Sequence, residues 1–424
     1  MHGGRISLPS AVATAKRLGP IIWCEETNAY PIFFCWDSEE FSSYFRHLAY
    51  ERNGVSYRGS YAATPSSLVA PLVFGADLGR GLTRLPINTV LSYGKLLQNV
   101  DVLAGPHRVL FPVKKKYEEQ LTRFVDDVPD AIGKGFVYLP DTGKVPSFYV
   151  SLGPDVRGYQ AKFIIQQILT LPFQFTTEPI IDSVGTPAWA NMVRRTRSMF
   201  HLATNYVSRP GRRSDTKPNA ETNSYEPAAG TLFFAQLRNH LCENKNSTLE
   251  IYAHSMGSIV INEAYSQFPD LRAKLIVYMA AACSMREFLD TTGNYLKRHH
   301  DVPFYNLSLH PRSELDDVEA FGLPVRGSLL VWIDEFFETP KSFGDRTLGN
   351  FENIIIAQDL LPNSPSIHLK AFPVEEGKGV KETGLYLGPQ RHGDFDDYHF
   401  WQKDFWSTDT KDKRYERISK PPRR

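Results

Sequence analysis

Apolar positions recur with helical spacing over residues 8–18, and Tyr30-Pro31-Ile32-Phe33-Phe34-Cys35-Trp36 is a continuous apolar run of buried-strand length. Helical spacing returns over 38–51. Between 52 and 226 the texture changes to apolar patches interrupted by proline and glycine. That stretch closes on the polar run Arg209 to Asn219, which has the composition of a loop or domain border. Regular alternation then resumes. Helices are predicted over Leu232 to Leu241, Ile259 to Phe268, Met285 to Arg298, Ser328 to Phe337 and Asp396 to Trp406. Strands are predicted over Leu249 to Ala253, Lys274 to Ala281, Pro303 to Leu309 and Ile367 to Phe372. Strands alternating with helices predict an α/β fold, with a mostly parallel sheet covered by helices on both faces. Residues 1–51 and 227–424 would form the core, with 52–226 as a large insertion, a cap or lid, between the early strands and the later ones. The basic, proline-containing tail from Lys411 to Arg424 is expected to be disordered.

Composition narrows the function classes. The net charge of +1 in 424 residues gives no electrostatic reason to expect nucleic acid as a partner. No stretch approaches the about 18 consecutive apolar residues of a membrane-spanning helix. Ser67 to Phe74 is the nearest, and Pro71 interrupts it. Contact with a membrane surface from outside stays open. The first residues carry no basic region followed by an apolar core, so a secretory signal is not expected. Cys24, Cys35, Cys242 and Cys283 lie in apolar segments without metal-ligand spacing. They read as reduced core residues and suit a cytoplasmic location.

The richest chemistry lies in Leu249-Glu250-Ile251-Tyr252-Ala253-His254-Ser255-Met256-Gly257-Ser258-Ile259-Val260. A strand-like stretch runs into a serine and leaves it as a helix. Ala253 and Gly257, two positions before and after, are small enough for strand and helix to crowd together. This is the pattern of a nucleophile elbow, in which a strained turn lifts the serine Oγ above the sheet. Alanine replaces the commoner first glycine. The N–H of Met256, next after the serine, would be one donor to an oxyanion.

A serine alcohol needs a base, and the base needs a carboxylate to hold its tautomer. For an elbow of this kind the partners follow in the order serine, acid, histidine. His392, in Pro389-Gln390-Arg391-His392-Gly393-Asp394-Phe395 after the last strand, is the candidate base. His399 falls within the predicted last helix and reads as a surface or packing residue. The acid should follow the strand that ends at Leu309, where the candidates are Glu314, Asp317 and Asp316. Glu314 is favoured, because its longer side chain comes soonest after the turn at Pro311. Asp334 sits in a helical pattern and is the weaker choice. A second oxyanion donor would come from the glycines of His2-Gly3-Gly4.

Taken together, these residues make the chain resemble the α/β-hydrolase superfamily, and within it uncharacterised microbial lipase- or esterase-like proteins. The matching pieces are His2-Gly3-Gly4, Tyr30 to Trp36, Ala253-His254-Ser255-Met256-Gly257 and Pro389 to Phe395. They cover residues 1 to about 50 and about 228 to 406. The resemblance implies an α/β-hydrolase fold and a serine esterase or lipase acting on a small-molecule ester or lipid through an acyl-enzyme on Ser255. It calls for no cofactor and no metal. The superfamily carries strands ahead of its His-Gly loop, and here that loop opens the sequence. Either the sequence is cut short at its start, so that those strands are missing from this numbering, or the sheet is smaller than usual with an open edge.

Other readings use the same residues. A catalytically inactive hydrolase-like scaffold could serve as an interaction protein. An acyltransferase or amidase could use the same three groups, and His392 followed five residues later by Asp397 is a pattern found in some acyltransferases. His392, Asp394, Asp396, Asp397 and His399 have residue types that suit a metal, although charge-rich loops of this kind are usually solvated.

Overall fold

The computed structural model describes residues 6–25, 29–52, 55–56, 61, 63–104, 137–139, 147–150, 177, 179–200, 228–310, 313–314, 317, 319–320, 323–324, 327–338, 340–351, 353–354, 360–362, 364, 366–372, 385–407 and 414–418. His2, Gly3, Gly4, Asp316, the run from Arg209 to Asn219 and the ends of the tail lie outside the described residues.

The chain is an α/β protein built on a parallel sheet flanked by helices. The sheet strands are β1 (Val137–Leu139), β2 (Ser147–Val150), β3 (Glu250–His254), β4 (Leu275–Met279), β5 (Phe304–Leu309) and β6 (Ile367–Phe372), in the order β1-β2-β6-β5-β4-β3. Strands β3 to β6 pair in parallel, with Glu250 opposite Leu275, Ile276 opposite Phe304 and Phe304 opposite Ile367. β4 and β5 are buried along their whole length. A parallel strand buried on both faces reads as an unbroken apolar run, as Leu-Ile-Val-Tyr-Met of β4 does, whereas Phe-Tyr-Asn-Leu-Ser-Leu of β5 also buries the polar Asn306 and Ser308. The helices Gly257–Gln267, Met285–Asp290 and Thr292–Arg298 follow β3 and β4. The buried hydroxyl of Tyr278 on β4 donates to Asn262 Oδ1 at 2.9 Å and lies 2.9 Å from Thr292 Oγ1, tying two of these helices to the sheet.

The structure corrects several expectations. Tyr30 to Trp36 is extended but joins no sheet. Tyr30 and Ile32 are exposed, the indole of the buried Trp36 donates to Thr196 Oγ1 at 3.1 Å, and the Phe34 ring is tilted against Phe233 and Phe234. The first helix runs Leu8–Glu25, past Pro20, because Leu18 and Ile22 pack with Trp401 and Ile418. The last helix is not continuous: His392–Asp397 is a 3₁₀ turn, and only Lys403–Trp406 is helical. Part of the tail is ordered, since Tyr415–Glu416 pairs with Leu385–Tyr386 and Tyr415 and Ile418 are buried. Of the four cysteines only Cys283 is buried, while Cys24 and Cys242 are exposed.

Residues 52–226 do not behave solely as a cap. β1 and β2 come from this stretch and extend the sheet beyond β6, at the end away from β3. The proline- and glycine-rich texture hides a 35-residue helix, Ala70–Ala104, which continues through Pro86. Leu68 and Leu72 are exposed, and residues 164–175 lie outside the described residues. A helix over 179–198 packs across the Ala70–Ala104 helix at Gly81, where a Cβ would lie 2.0 Å from Ser183 Oγ and 2.3 Å from the Pro179 carbonyl. Trp189, Met192 and Val193 of the same segment enter the main core. Among the described residues no helix is long and apolar enough to cross a membrane.

Candidate active site

The expected strand–serine–helix turn is present. β3 ends at His254, Ser255 turns, and the next helix starts at Gly257. Ser255 has φ +49°, a left-handed conformation that an L residue keeps only when its surroundings over-determine it. Here its N–H donates to Met279 O at 2.9 Å. Its carbonyl accepts from Ser258 N and Ala282 N, each at 3.1 Å, and from Ser258 Oγ at 2.7 Å. Ala253 is fully buried between strand and helix, and Met256 follows the serine in the same buried layer. Cys283 lies just behind this turn, its N–H donating to Ser258 Oγ at 3.1 Å. Burial pushes its thiol up to about 12, so it stays protonated at neutral pH.

His392 Nε2 lies 2.8 Å from Ser255 Oγ. The two residues come from segments 137 positions apart, and Ser255 is 0 % and His392 7 % exposed. The loop that delivers His392 is shaped by its neighbours. Gly388 has φ +129°, and the Phe372 ring occupies the space where a Cβ would stand, 2.3 Å away. Its carbonyl accepts from the Tyr398 hydroxyl at 2.8 Å. Asp394 Oδ2 accepts from the amides of Gln390 at 3.2 Å and Arg391 at 3.1 Å, closing the turn, and pairs with Arg417 at 3.4 Å.

The loop after β5 buries Glu314 and brings Asp317 to the backbone of His392. Glu314 is 1 % exposed, and its Oε2 accepts a hydrogen bond from Ser328 Oγ. The Ser328 amide donates to the Glu314 carbonyl at 2.6 Å, while Ser328 Oγ caps Leu330 N. Asp317 Oδ2 accepts from the backbone N–H of His392 at 3.1 Å. Asp334 is engaged elsewhere. It accepts from Thr347 N at 2.8 Å, Thr347 Oγ1 at 3.0 Å and Asn353 Nδ2 at 2.7 Å, organising the loop that follows it. Burial raises its pKa, against the opposing pull of these donors.

His399 is not in a helix; its Nδ1 lies 3.0 Å from Glu25 Oε2. Asp396 pairs with Arg17 at 3.2 Å. Among the described residues no group of three or more histidine, cysteine, aspartate or glutamate side chains is arranged to hold a metal ion.

One contributor, Gly349, was not singled out in the sequence, and another, His254, was named there only as part of the elbow. Gly349 lets the loop after Asp334 press on Ala280 and Ala281, beside the elbow. His254 reaches the carbonyl of His392 with Nε2 at 2.8 Å. A polar side chain at the buried end of an apolar strand was the available signal for the second.

No protein-family model, no curated protein and no solved structure matches the chain.

Proposed function

We propose that the chain is a serine hydrolase of the α/β-hydrolase type, which cleaves carboxylic esters of small molecules or lipids through an acyl-enzyme. The observation that carries this reading is a serine held at φ +49° between strand and helix, with its Oγ 2.8 Å from a histidine ring nitrogen. In the first half-reaction Ser255 Oγ attacks the ester carbonyl carbon and His392 Nε2 takes the hydroxyl proton. The oxygen of the tetrahedral intermediate, now negative, accepts from the Met256 N–H. The intermediate collapses, the alkoxide leaves, and His392 returns the proton to it. Water then repeats the sequence on the acyl-enzyme, releasing the acid and restoring Ser255. Glu314 is the proposed partner of the imidazole, supported by its burial and by its place on the loop that also meets the His392 amide.

The test is covalent labelling by a fluorophosphonate carrying a reporter, together with hydrolysis of p-nitrophenyl esters. Labelling should vanish in Ser255→Ala. Ser255→Ala and His392→Ala should each cost about 10⁶-fold in turnover, and the double variant about the same, because the groups act as one unit. Glu314→Gln should keep the fold and cut turnover about 10⁴-fold, as a wrong tautomer does elsewhere. Full activity in Glu314→Gln with loss in Asp317→Asn would pass the role to Asp317. A folded protein with no labelling at all would favour the inactive scaffold.

A further inference from the structure

The main chain of His392 is held at both of its polar groups. Its N–H donates to Asp317 Oδ2 at 3.1 Å, and its carbonyl lies 2.8 Å from His254 Nε2. A carbonyl oxygen only accepts, so His254 carries a proton on Nε2 and donates it. The His254 ring is 8 % exposed, with its centroid 5.2 Å from that of His392 and 5.5 Å from that of Phe395. We infer that His254 is a positioning residue. It clamps the segment carrying the base to the segment carrying the nucleophile, and the hydrogen bond rather than the bulk of the ring sets the Ser255–His392 distance. The inference rests on the proposed hydrolase reading for what the clamp is for, but the clamp itself can be tested separately.

Three features support it. His254 precedes Ser255 directly, so a bond from residue 254 to residue 392 shortens the path between the two reacting atoms to a few covalent bonds on each side. His392–Asp397 is a 3₁₀ turn, whose hydrogen-bond geometry is poorer than that of an α-helix, so anchors from outside the turn count for more. Finally, strand β3 presents a donor to a loop carbonyl at a point where an apolar side chain would fill the space but leave that carbonyl without this partner. Rate depends steeply on such placement, since displacement of a reacting group by about 1 Å costs about 100-fold.

Two variants separate donor from bulk. His254→Phe keeps a ring against Phe395 and removes the donor, and His254→Leu serves if the phenylalanine protein does not fold. His254→Gln keeps an N–H donor at similar reach. Two readouts are taken: the limiting rate of fluorophosphonate labelling at saturating probe, and amide hydrogen exchange of residues 388–397. The expected result is a fall of about 10- to 100-fold in the limiting labelling rate of His254→Phe. The half-saturating probe concentration should change little, because the base and not the probe site is displaced. Exchange over 388–397 should quicken, and His254→Gln should recover most of both. Wild-type labelling and exchange in the apolar variant would overturn the clamp, as would a glutamine variant as impaired as the phenylalanine one. If wild-type protein takes no label, or Ser255→Ala takes as much, the hydrolase reading fails. The exchange comparison then decides the clamp alone.

Discussion

Gly349 offers a quantitative test of how the loop behind the elbow supports it. Replacement by alanine would place a methyl carbon 2.1 Å from Ala281 N, 2.3 Å from Ala280 C and 2.6 Å from Ala281 O, where ordinary contact begins at 3.4 Å. All three are backbone atoms, so no side-chain rotation relieves the clash, and loop and strand end must part by more than an ångström. That movement pulls on Gly349 N→Ala281 O at 2.8 Å, Leu348 N→Cys283 O at 2.9 Å and Asn306 Nδ2→Leu348 O at 3.1 Å. Overpacking of this kind costs about 1–3 kcal/mol, and each weakened hydrogen bond adds up to about 1 kcal/mol. A loss of about 4 kcal/mol lowers Tm by about 4 °C if the whole chain melts as one unit, and by about twice that if a unit of half the length melts. The segment that must move includes Ala280, with φ +43°, and runs into Ala282, whose N–H holds the Ser255 carbonyl. The labelling rate of Ser255 should therefore fall as well. The assay is differential scanning calorimetry beside Gly344→Ala, a control whose new Cβ meets nothing closer than 3.6 Å. If Gly349→Ala melts within about 1 °C of that control and labels at the wild-type rate, the coupling of loop to elbow is wrong.

Two further outcomes follow from buried charged groups. Lys370 on β6 is buried and donates to Phe405 O at 2.7 Å, Tyr415 OH at 3.0 Å and Ser407 O at 3.3 Å, so Lys370→Met should cost about 1–3 kcal/mol and speed exchange at 414–418. A gain in stability would mean that the cost of burying the ammonium outweighs its three bonds. Burial holds the Asp334 carboxyl above the ordinary carboxylate range, so the folded chain binds this proton more readily than the unfolded one. Between the unfolded pKa of about 4 and the raised folded value, its contribution to stability declines as pH rises. Asp334→Asn cannot ionise and should lack that decline in urea titrations across the same pH window; an unchanged slope would contradict the assignment.

β4 was legible because a parallel strand buried on both faces leaves an unbroken apolar run, and β6 was read at its observed limits, Ile367–Phe372, although His368 and Lys370 interrupt its apolar residues. The elbow was legible for a different reason: small residues at 253 and 257 around a serine are a local steric requirement, visible without knowing any partner. The approach of His392 to Ser255 depended on an expected chain order, and the 2.8 Å distance agrees with it. Tyr30 to Trp36 went wrong because an apolar run suggests burial without naming a partner, and only Trp36 of this run is buried. Trp36 found Thr196 and the 179–198 helix instead of a neighbouring strand. The long helix over Ala70–Ala104 was hidden because its glycines were read as breaks. At least Gly81 serves a close helix crossing.

The sequence by itself determined the elements whose signals are local: the α/β alternation, the strained serine turn and the histidine after the last strand. Only the tertiary structure decided that β1 and β2 extend the sheet beside β6, that Tyr415 and Ile418 are buried against the core, and that Asp317 and His254 hold the N–H and the carbonyl of His392. These are contacts between segments far apart in the chain. Periodicity and propensity describe a residue's own neighbourhood, whereas the partner of a hydrogen-bond donor or an apolar face is chosen by competition across the whole folded molecule.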